Sequence, residues 1–311
     1  NFMNKIVLIC PERNDVSKWV ENFKKENNNI EVEIYPNDTD RDQTEFVATW
    51  NPPADAFEKF PNLKVIASMA AGVKHITSKK IPNNVKVTRV KDDYLNYDLS
   101  YFVLNALLNY LRDMPLYFQH QQEKIWDRQA YQRPEDVTVG ILGFGNIGQA
   151  IGKLLLKNDF KVLGWSRSKK DVEGIETFKE DELNTFLSKS NVLVCMLPHT
   201  PETEDILNQE LFQELPKGTY LINVGRGAHL QEEDFLEALA NGQLSGAALD
   251  VFKTEPLPKE HVFWNHDKIT ITPHTASITN PATIVPKMVE NFQRMQNNEP
   301  LKDEVDLEKG Y

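Results

Sequence analysis

Val137-Thr-Val-Gly-Ile-Leu142 runs directly into Gly143-Phe144-Gly145-Asn146-Ile147-Gly148, and helical spacing continues over residues 149–157. A lone GxGxxG says little. One that leaves a strand and opens a helix is in the context of a dinucleotide fingerprint. Gly143 permits the tight turn, Gly145 lets the backbone approach a pyrophosphate, and Gly148 lets helix and strand pack closely. The helix N-terminus adds oriented N–H donors for the anion. All six residues, Gly143 to Gly148, are therefore candidates for cofactor contact. The competing reading is a glycine-rich turn in an unrelated α/β protein.

The flanking sequence has the same alternating character. Before the loop, residues 5–10, 30–35, 45–50, 64–69 and 85–89 read as strands, with a helix near 15–25. Such alternation predicts parallel βαβ units. A helical pattern follows over about 99–126, in which Pro115 should kink or split the helix. After a polar break at 133–136, strands are expected at 137–142, 161–165, 191–197, 219–224, 246–251 and 268–272. They are apolar at successive positions, as in a sheet covered on both faces. A helix is expected at 231–241. Another follows Asn280 as N-cap and Pro281 as first residue, runs to about 297, and contains an awkward Pro286. A length of 311 residues suits two such domains.

Composition narrows the partners. With 35 basic and 46 acidic residues the formal charge is 35 − 46 = −11, which argues against a nucleic-acid surface built on clustered Lys and Arg. Cys10 and Cys195 lie in apolar runs and read as buried thiols, consistent with a reducing compartment. No stretch reaches the about 18 apolar residues of a spanning helix. The start lacks signal-peptide features, Met3 reads as the native start, and the cytoplasm is the expected location. His261, His266 and Asp267 lack metal-site spacing, so no metal is expected.

The end of the next strand selects the cofactor. An NAD-binding domain usually places Asp or Glu there for the ribose hydroxyls. Here the strand ends Trp165-Ser166-Arg167-Ser168-Lys169-Lys170, with no acid before Asp171. Two hydroxyls and a planar cation suit a 2′-phosphate, which indicates NADP, with NAD also possible.

Three later stretches each place one reactive residue after a strand. In Asn223-Val224-Gly225-Arg226-Gly227, flanking glycines open the backbone around a guanidinium able to grip a carboxylate through two hydrogen bonds. Asp250 ends the next strand, and Glu255 lies five residues on, before Pro256. His274 follows the last strand in Thr272-Pro-His-Thr-Ala276. Ligands of open α/β sheets bind at the carboxyl ends of strands, so Arg226, Glu255 and His274 are expected to converge as catalytic residues. Carbonyl reduction needs a proton on oxygen, and histidine beside a carboxylate is a natural acid near neutral pH.

Taken together, residues 143–148, 223–227, 246–256 and 272–276 resemble, in order and spacing, the signatures of the D-isomer-specific 2-hydroxyacid dehydrogenase family. The sequences 165–168, 251–258 and Gly310-Tyr311 resemble its glyoxylate/hydroxypyruvate reductase subgroup. The resemblance spans almost the whole chain. It implies a Rossmann NADP-binding domain inserted into a discontinuous flavodoxin-like substrate domain, both α/β with doubly wound parallel sheets. The divisions would be 1–97, 98–276 and 277–311, with the active site in the cleft.

The resemblance also implies roles. His274 would be the general acid, Glu255 its partner and Arg226 the substrate anchor. Asp250 would contact the nicotinamide amide. Leu197, Pro198 and His199 would line the cofactor, as would Val224, Gly225, Arg226 and His274. Ala71, Gly72 and Val73 would bind the substrate carboxylate, and Trp50 would wall the pocket or belong to the core. A homodimer through the helix after Leu99 is implied as well. Lys74 stands where relatives often carry an acid, and residues 275–277 also depart slightly, which leaves substrate preference open. The implied activity is NADPH-dependent reduction of small 2-oxo acids, glyoxylate or hydroxypyruvate first. Alternatives are a relative acting on D-lactate, phosphoglycerate or formate, and a non-catalytic cofactor-sensing protein.

Overall fold

The computed structural model describes residues 4–11, 13–70, 72–90 and 94–307. They form two compact units, one from the described residues of Asn1–Asp93 and Thr279–Tyr311, the other from Tyr94–Ile278.

The first unit holds β1 (Lys5–Ile9), α1 (Val16–Glu26), β2 (Glu31–Ile34), β3 (Phe46–Thr49), β4 (Val65–Ser68), α2 (Lys74–Thr77) and β5 (Lys86–Thr88). Its sheet is parallel, in the order β2-β1-β3-β4-β5. That is the flavodoxin-like winding. All of β1 is buried because alternate side chains serve separate cores. Ile6 and Leu8 pack with Trp19 and Phe23 of α1, whereas Val7 and Ile9 pack with Phe57 and Ile76.

The second unit contains α3 (Leu95–Leu111), α4 (Met114–Glu123), β6 (Thr138–Leu142), α5 (Asn146–Lys157), β7 (Lys161–Trp165) and β8 (Glu176–Phe178). It continues with α6 (Leu183–Ser188), β9 (Val192–Cys195), α7 (Gln209–Glu214), β10 (Thr219–Asn223), α8 (Glu232–Ala240), β11 (Leu244–Leu249) and β12 (Ile269–Ile271). All pairings are parallel, in the order β12-β11-β10-β9-β6-β7-β8. The winding reverses between β6 and β9, the switch point where open sheets bind ligands. Val139 and Ile141 face a core shared with α3 and α5, while Leu193, Cys195 and Leu221 face one shared with Phe235 of α8. A last helix, α9 (Pro281–Gln296), returns to the first unit and buries Ile284, Met288 and Phe292 there. The expected pair of doubly wound α/β sheets, one domain inserted in the other, is what the chain forms.

Local differences have local causes. The long helical pattern is two helices: Asp113 turns to φ +50, and Pro115 occupies the first turn of α4, where its missing N–H costs nothing. β11 lies two residues earlier than expected, leaving Asp250 beyond its end. The short β8, α6 and α7 went unseen because three to six residues carry too little period to read. Asn280 caps α9 as expected, its side chain accepting from Ala282 N–H, and Pro286 is accommodated inside the helix.

Candidate active site

Each glycine of the first loop meets a different steric demand. Gly143 has φ +110, and a Cβ there would stand 2.7 Å from the Met196 carbonyl carbon. A Cβ on Gly148 would overlap the Gly143 carbonyl oxygen. At Gly145 nothing lies within 4 Å of an added Cβ, so this backbone is open to a ligand. Gly145 and Asn146 are exposed at the start of α5, and Ile147 is half-buried. Phe144 is different. Its ring is fully buried against Gly164, and its N–H donates to the Trp165 carbonyl at 2.8 Å. Phe144 shapes the loop from below and presents neither group outward.

At the end of β7, Ser166 donates its hydroxyl to the Ser168 carbonyl at 2.8 Å, and Lys170 Nζ donates to Ser168 Oγ at 2.9 Å. The turn is thus internally braced, with Arg167, Ser168 and Lys169 exposed. Open space at Gly145 and an exposed guanidinium without an adjoining carboxylate on its own turn fit a phosphorylated dinucleotide.

His274 and Glu255 meet. The His274 Nδ1–H donates to Glu255 Oε2 at 2.7 Å, and the other carboxylate oxygen accepts the Phe252 N–H at 2.9 Å. With Nδ1 committed, Nε2 is the nitrogen left for chemistry. The Glu255 hydrogen bond holds His274 above its ordinary pKa against the opposing effect of burial. For Glu255, burial pushes the pKa up, but hydrogen bonds from His274 and Phe252 outweigh it and leave the carboxyl below its usual range.

The backbone beneath His274 is unusual, at φ +53, a conformation non-glycine residues adopt at a cost. Asp250 holds it in place. The Asp250 carbonyl accepts the His274 N–H at 2.9 Å. Its carboxylate accepts Thr272 Oγ1–H at 2.6 Å, Thr275 N–H at 2.8 Å and Ala276 N–H at 2.9 Å. Asp250 is only 1% exposed, and its carboxylate accepts hydrogen bonds from the loop that carries His274.

Arg226 follows β10 and is exposed, with Nη1 donating to the Gly225 carbonyl at 2.7 Å. Val224 and Gly225 are buried beneath it, and a Cβ on Gly225 would stand 2.9 Å from His229 Nδ1. A Cβ on Gly227 would overlap the Phe252 backbone. Leu197 is buried after β9, with Pro198 and His199 exposed.

In the first unit Trp50 follows β3, half-buried on the core, with the His75 ring centroid 4.6 Å from its own. The Ser68 hydroxyl lies 2.8 Å from the carbonyl oxygens of both Ala70 and Gly72, which share its one hydrogen, and braces the expected carboxylate loop. Gly72 is exposed and Val73 buried, while Ala71 lies outside the described residues. No pattern in the sequence singles out Ser68 or His75. His261 instead pairs with Glu232 at 3.2 Å, and among the described residues no group of three or more His, Cys, Asp or Glu could hold a metal ion. No helix among them is long and apolar enough to cross a membrane.

Comparison with known proteins gives a consistent picture. The family model described as D-isomer specific 2-hydroxyacid dehydrogenase, NAD binding domain, matches residues 104–276. Glyoxylate/hydroxypyruvate reductase A of Yersinia enterocolitica is 36% identical over 279 residues, covering 88% of this chain and 89% of its own. Its namesake from Photorhabdus laumondii is 36% identical over 305 residues, 96% and 97% of the two chains. Among solved structures, the NADPH-dependent glyoxylate/hydroxypyruvate reductase of Sinorhizobium meliloti, in complex with NADP and sulfate, is similar with TM-score 0.87 and 32% identity over 99% of each chain. A D-isomer specific 2-hydroxyacid dehydrogenase of Xanthobacter autotrophicus, in complex with NADPH and MES, has TM-score 0.85 and 34% identity, again over 99% of each.

Proposed function

Because the chain belongs to the D-isomer specific 2-hydroxyacid dehydrogenase family, we propose that it reduces small 2-oxo acids, glyoxylate and hydroxypyruvate first, using NADPH. The observation that carries this reading is the 2.7 Å His274–Glu255 pair in the unit that also bears the open glycine loop and Arg226. Gly145, Asn146, Ser166, Arg167 and Ser168 would hold the cofactor, which supplies hydride when bound.

The chain's own residues supply the rest. His274, kept protonated by Glu255, holds a proton at Nε2 for the carbonyl oxygen. The exposed Arg226 guanidinium offers parallel N–H donors to a substrate carboxylate and favours negative charge developing on the neighbouring oxygen. Asp250 fixes the backbone from which the acid projects. In the first unit, the exposed Gly72 and its neighbour Val73 would offer backbone N–H groups to a carboxylate, and Trp50 an aromatic wall. Initial rates with NADPH and NADH against glyoxylate, hydroxypyruvate, pyruvate and phosphohydroxypyruvate test the proposal. Oxidation of neither cofactor with any of these acids would defeat it.

Arg167→Asp replaces the cation with a repelling carboxylate. A hydrogen bond to a charged group contributes about 1.5–3 kcal/mol, so the KM for NADPH should rise at least about tenfold, with NADH use little changed. Unaltered NADPH kinetics would remove Arg167 from the phosphate.

The same reading makes the protein a cytoplasmic homodimer paired through α3 and α4. Support comes from exposed Tyr97, Tyr101, Leu108 and Phe118 on these helices, with Trp126 beyond them 92% exposed. Light scattering should give a mass near twice 35.8 kDa. A monomeric mass at micromolar concentration would contradict the pairing.

A further inference from the structure

His229 is fully buried, three residues beyond Arg226, and the chemistry described above does not use it. Its ring nevertheless touches two loops of the site. Nδ1 accepts the Arg226 backbone N–H at 3.1 Å, and Nε2 lies 3.3 Å from the Pro198 carbonyl oxygen. These partners settle the tautomer, since an N–H must face the carbonyl and a lone pair must face the amide. The ring is therefore neutral and carries its hydrogen on Nε2. The loop after β9 is anchored to the same carbonyl, which also accepts the Thr203 hydroxyl at 2.7 Å. Gly225 completes the arrangement, because a side chain there would meet both His229 Nδ1 and, at 3.3 Å, the Leu197 carbonyl oxygen.

A thiol–imidazole nucleophile is the competing use of this histidine, with Cys195 Sγ 3.7 Å from Nδ1. It fails on two counts. Nδ1 is already an acceptor for Arg226 N–H, and burial pushes the Cys195 thiol up to about 12, far from a thiolate at neutral pH. His199 stands edge-on to His229 with ring centroids 6.0 Å apart, on the solvent side of the same loop.

We infer that His229 is a positioning residue that ties the backbone of the substrate anchor Arg226 to the Pro198 loop, and so couples carboxylate binding to cofactor binding. The inference rests on the proposed roles of Arg226 and of residues 197–199. A cofactor that settles the Pro198 loop also settles His229, and through Nδ1 the peptide that carries the guanidinium. Burial, followed by the nearby His199 and Arg226 charges, keeps His229 below the ordinary histidine pKa despite the Pro198 carbonyl, consistent with a permanently neutral strut.

The test measures binding as well as rate. Oxamate, an isostere of a 2-oxo acid that accepts no hydride, is titrated with and without saturating NADPH into the wild-type protein, His229→Phe and His229→Gln. Wild-type protein should bind oxamate about tenfold more tightly with NADPH present, within the usual range of coupling between sites. His229→Phe keeps a ring but loses both hydrogen bonds. Its coupling factor should fall toward one and its KM for glyoxylate should rise about tenfold with kcat changed far less. His229→Gln, which has an acceptor and a donor, should recover part of both. A merely structural role would lower the thermal midpoint and the active fraction without moving KM or the coupling.

Full coupling in a folded His229→Phe protein overturns the inference. So does a long-range proton–nitrogen spectrum of the wild-type protein, with the ring assigned through His229→Gln, that finds Nδ1 protonated at pH 7. That measurement requires no folded phenylalanine variant. Wild-type protein that binds neither NADPH nor oxamate would instead strike the functional proposal itself.

Discussion

His274→Ala is expected to lower kcat for glyoxylate reduction by about two to four orders of magnitude, the usual contribution of a positioned general acid. The affinity for NADPH, measured by fluorescence titration, should change little. The residue sits on a loop held by Asp250 rather than by its own ring, so removing the imidazole leaves the backbone bonds of residues 272–276 in place. Turnover within a few-fold of wild type would refute the assignment.

The dependence on pH carries a definite sign. On the proposed mechanism reduction would use protonated His274, whose pKa is raised above the ordinary 6.5 chiefly by the Glu255 hydrogen bond. Activity is therefore present below that raised value and lost as pH climbs through it. Glu255, with a depressed pKa, stays charged well into the acid range and keeps the pair intact there. Glu255→Gln removes the charge, so the alkaline limb of kcat/KM should move to lower pH. A limb unmoved in that variant would mean that another group titrates.

Arg226→Gln is the second large effect. The side chain is exposed, and its one hydrogen bond among the described residues, to the Gly225 carbonyl at 2.7 Å, engages Nη1 alone. The remaining donors form a fork suited to a carboxylate. Losing an oriented cationic donor of this kind should lower kcat/KM by about 10²–10³-fold, through both kcat and KM for the oxo acid. Arg226→Lys restores charge without the planar fork and should recover only part of the loss. Nearly normal KM in Arg226→Gln would place the anchor elsewhere.

The parts of the site that were legible in sequence are those in which one residue's own backbone or charge decides the outcome. Gly143, Gly145 and Gly148 were readable because a turn, an approach and a close packing each exclude a Cβ. The structure finds these demands at Met196, in open space and at the Gly143 carbonyl, respectively. The turn at Ser166–Lys170 was readable because the lack of an acid is a local fact. The inserted domain was less local. It came from resemblance, since alternation alone does not say that α9 packs with Trp19 and Phe23 of the opening strand–helix unit.

Sequence by itself determined two parallel α/β domains, a glycine loop between a strand and a helix, and an Arg, a Glu and a His beyond strand ends. Strand period, glycine sterics and charge are all properties of short segments. Only tertiary structure decided how the polar groups are paired. Glu255 could reach His274, nineteen positions away, only because β11 and β12 are neighbours. Asp250 is buried, and its carboxylate accepts hydrogen bonds from Thr272, Thr275 and Ala276. His229, which no sequence pattern singles out, bridges Arg226 and Pro198. A hydrogen-bond partner depends on which loops the sheet order brings together, and that information is spread over the whole chain.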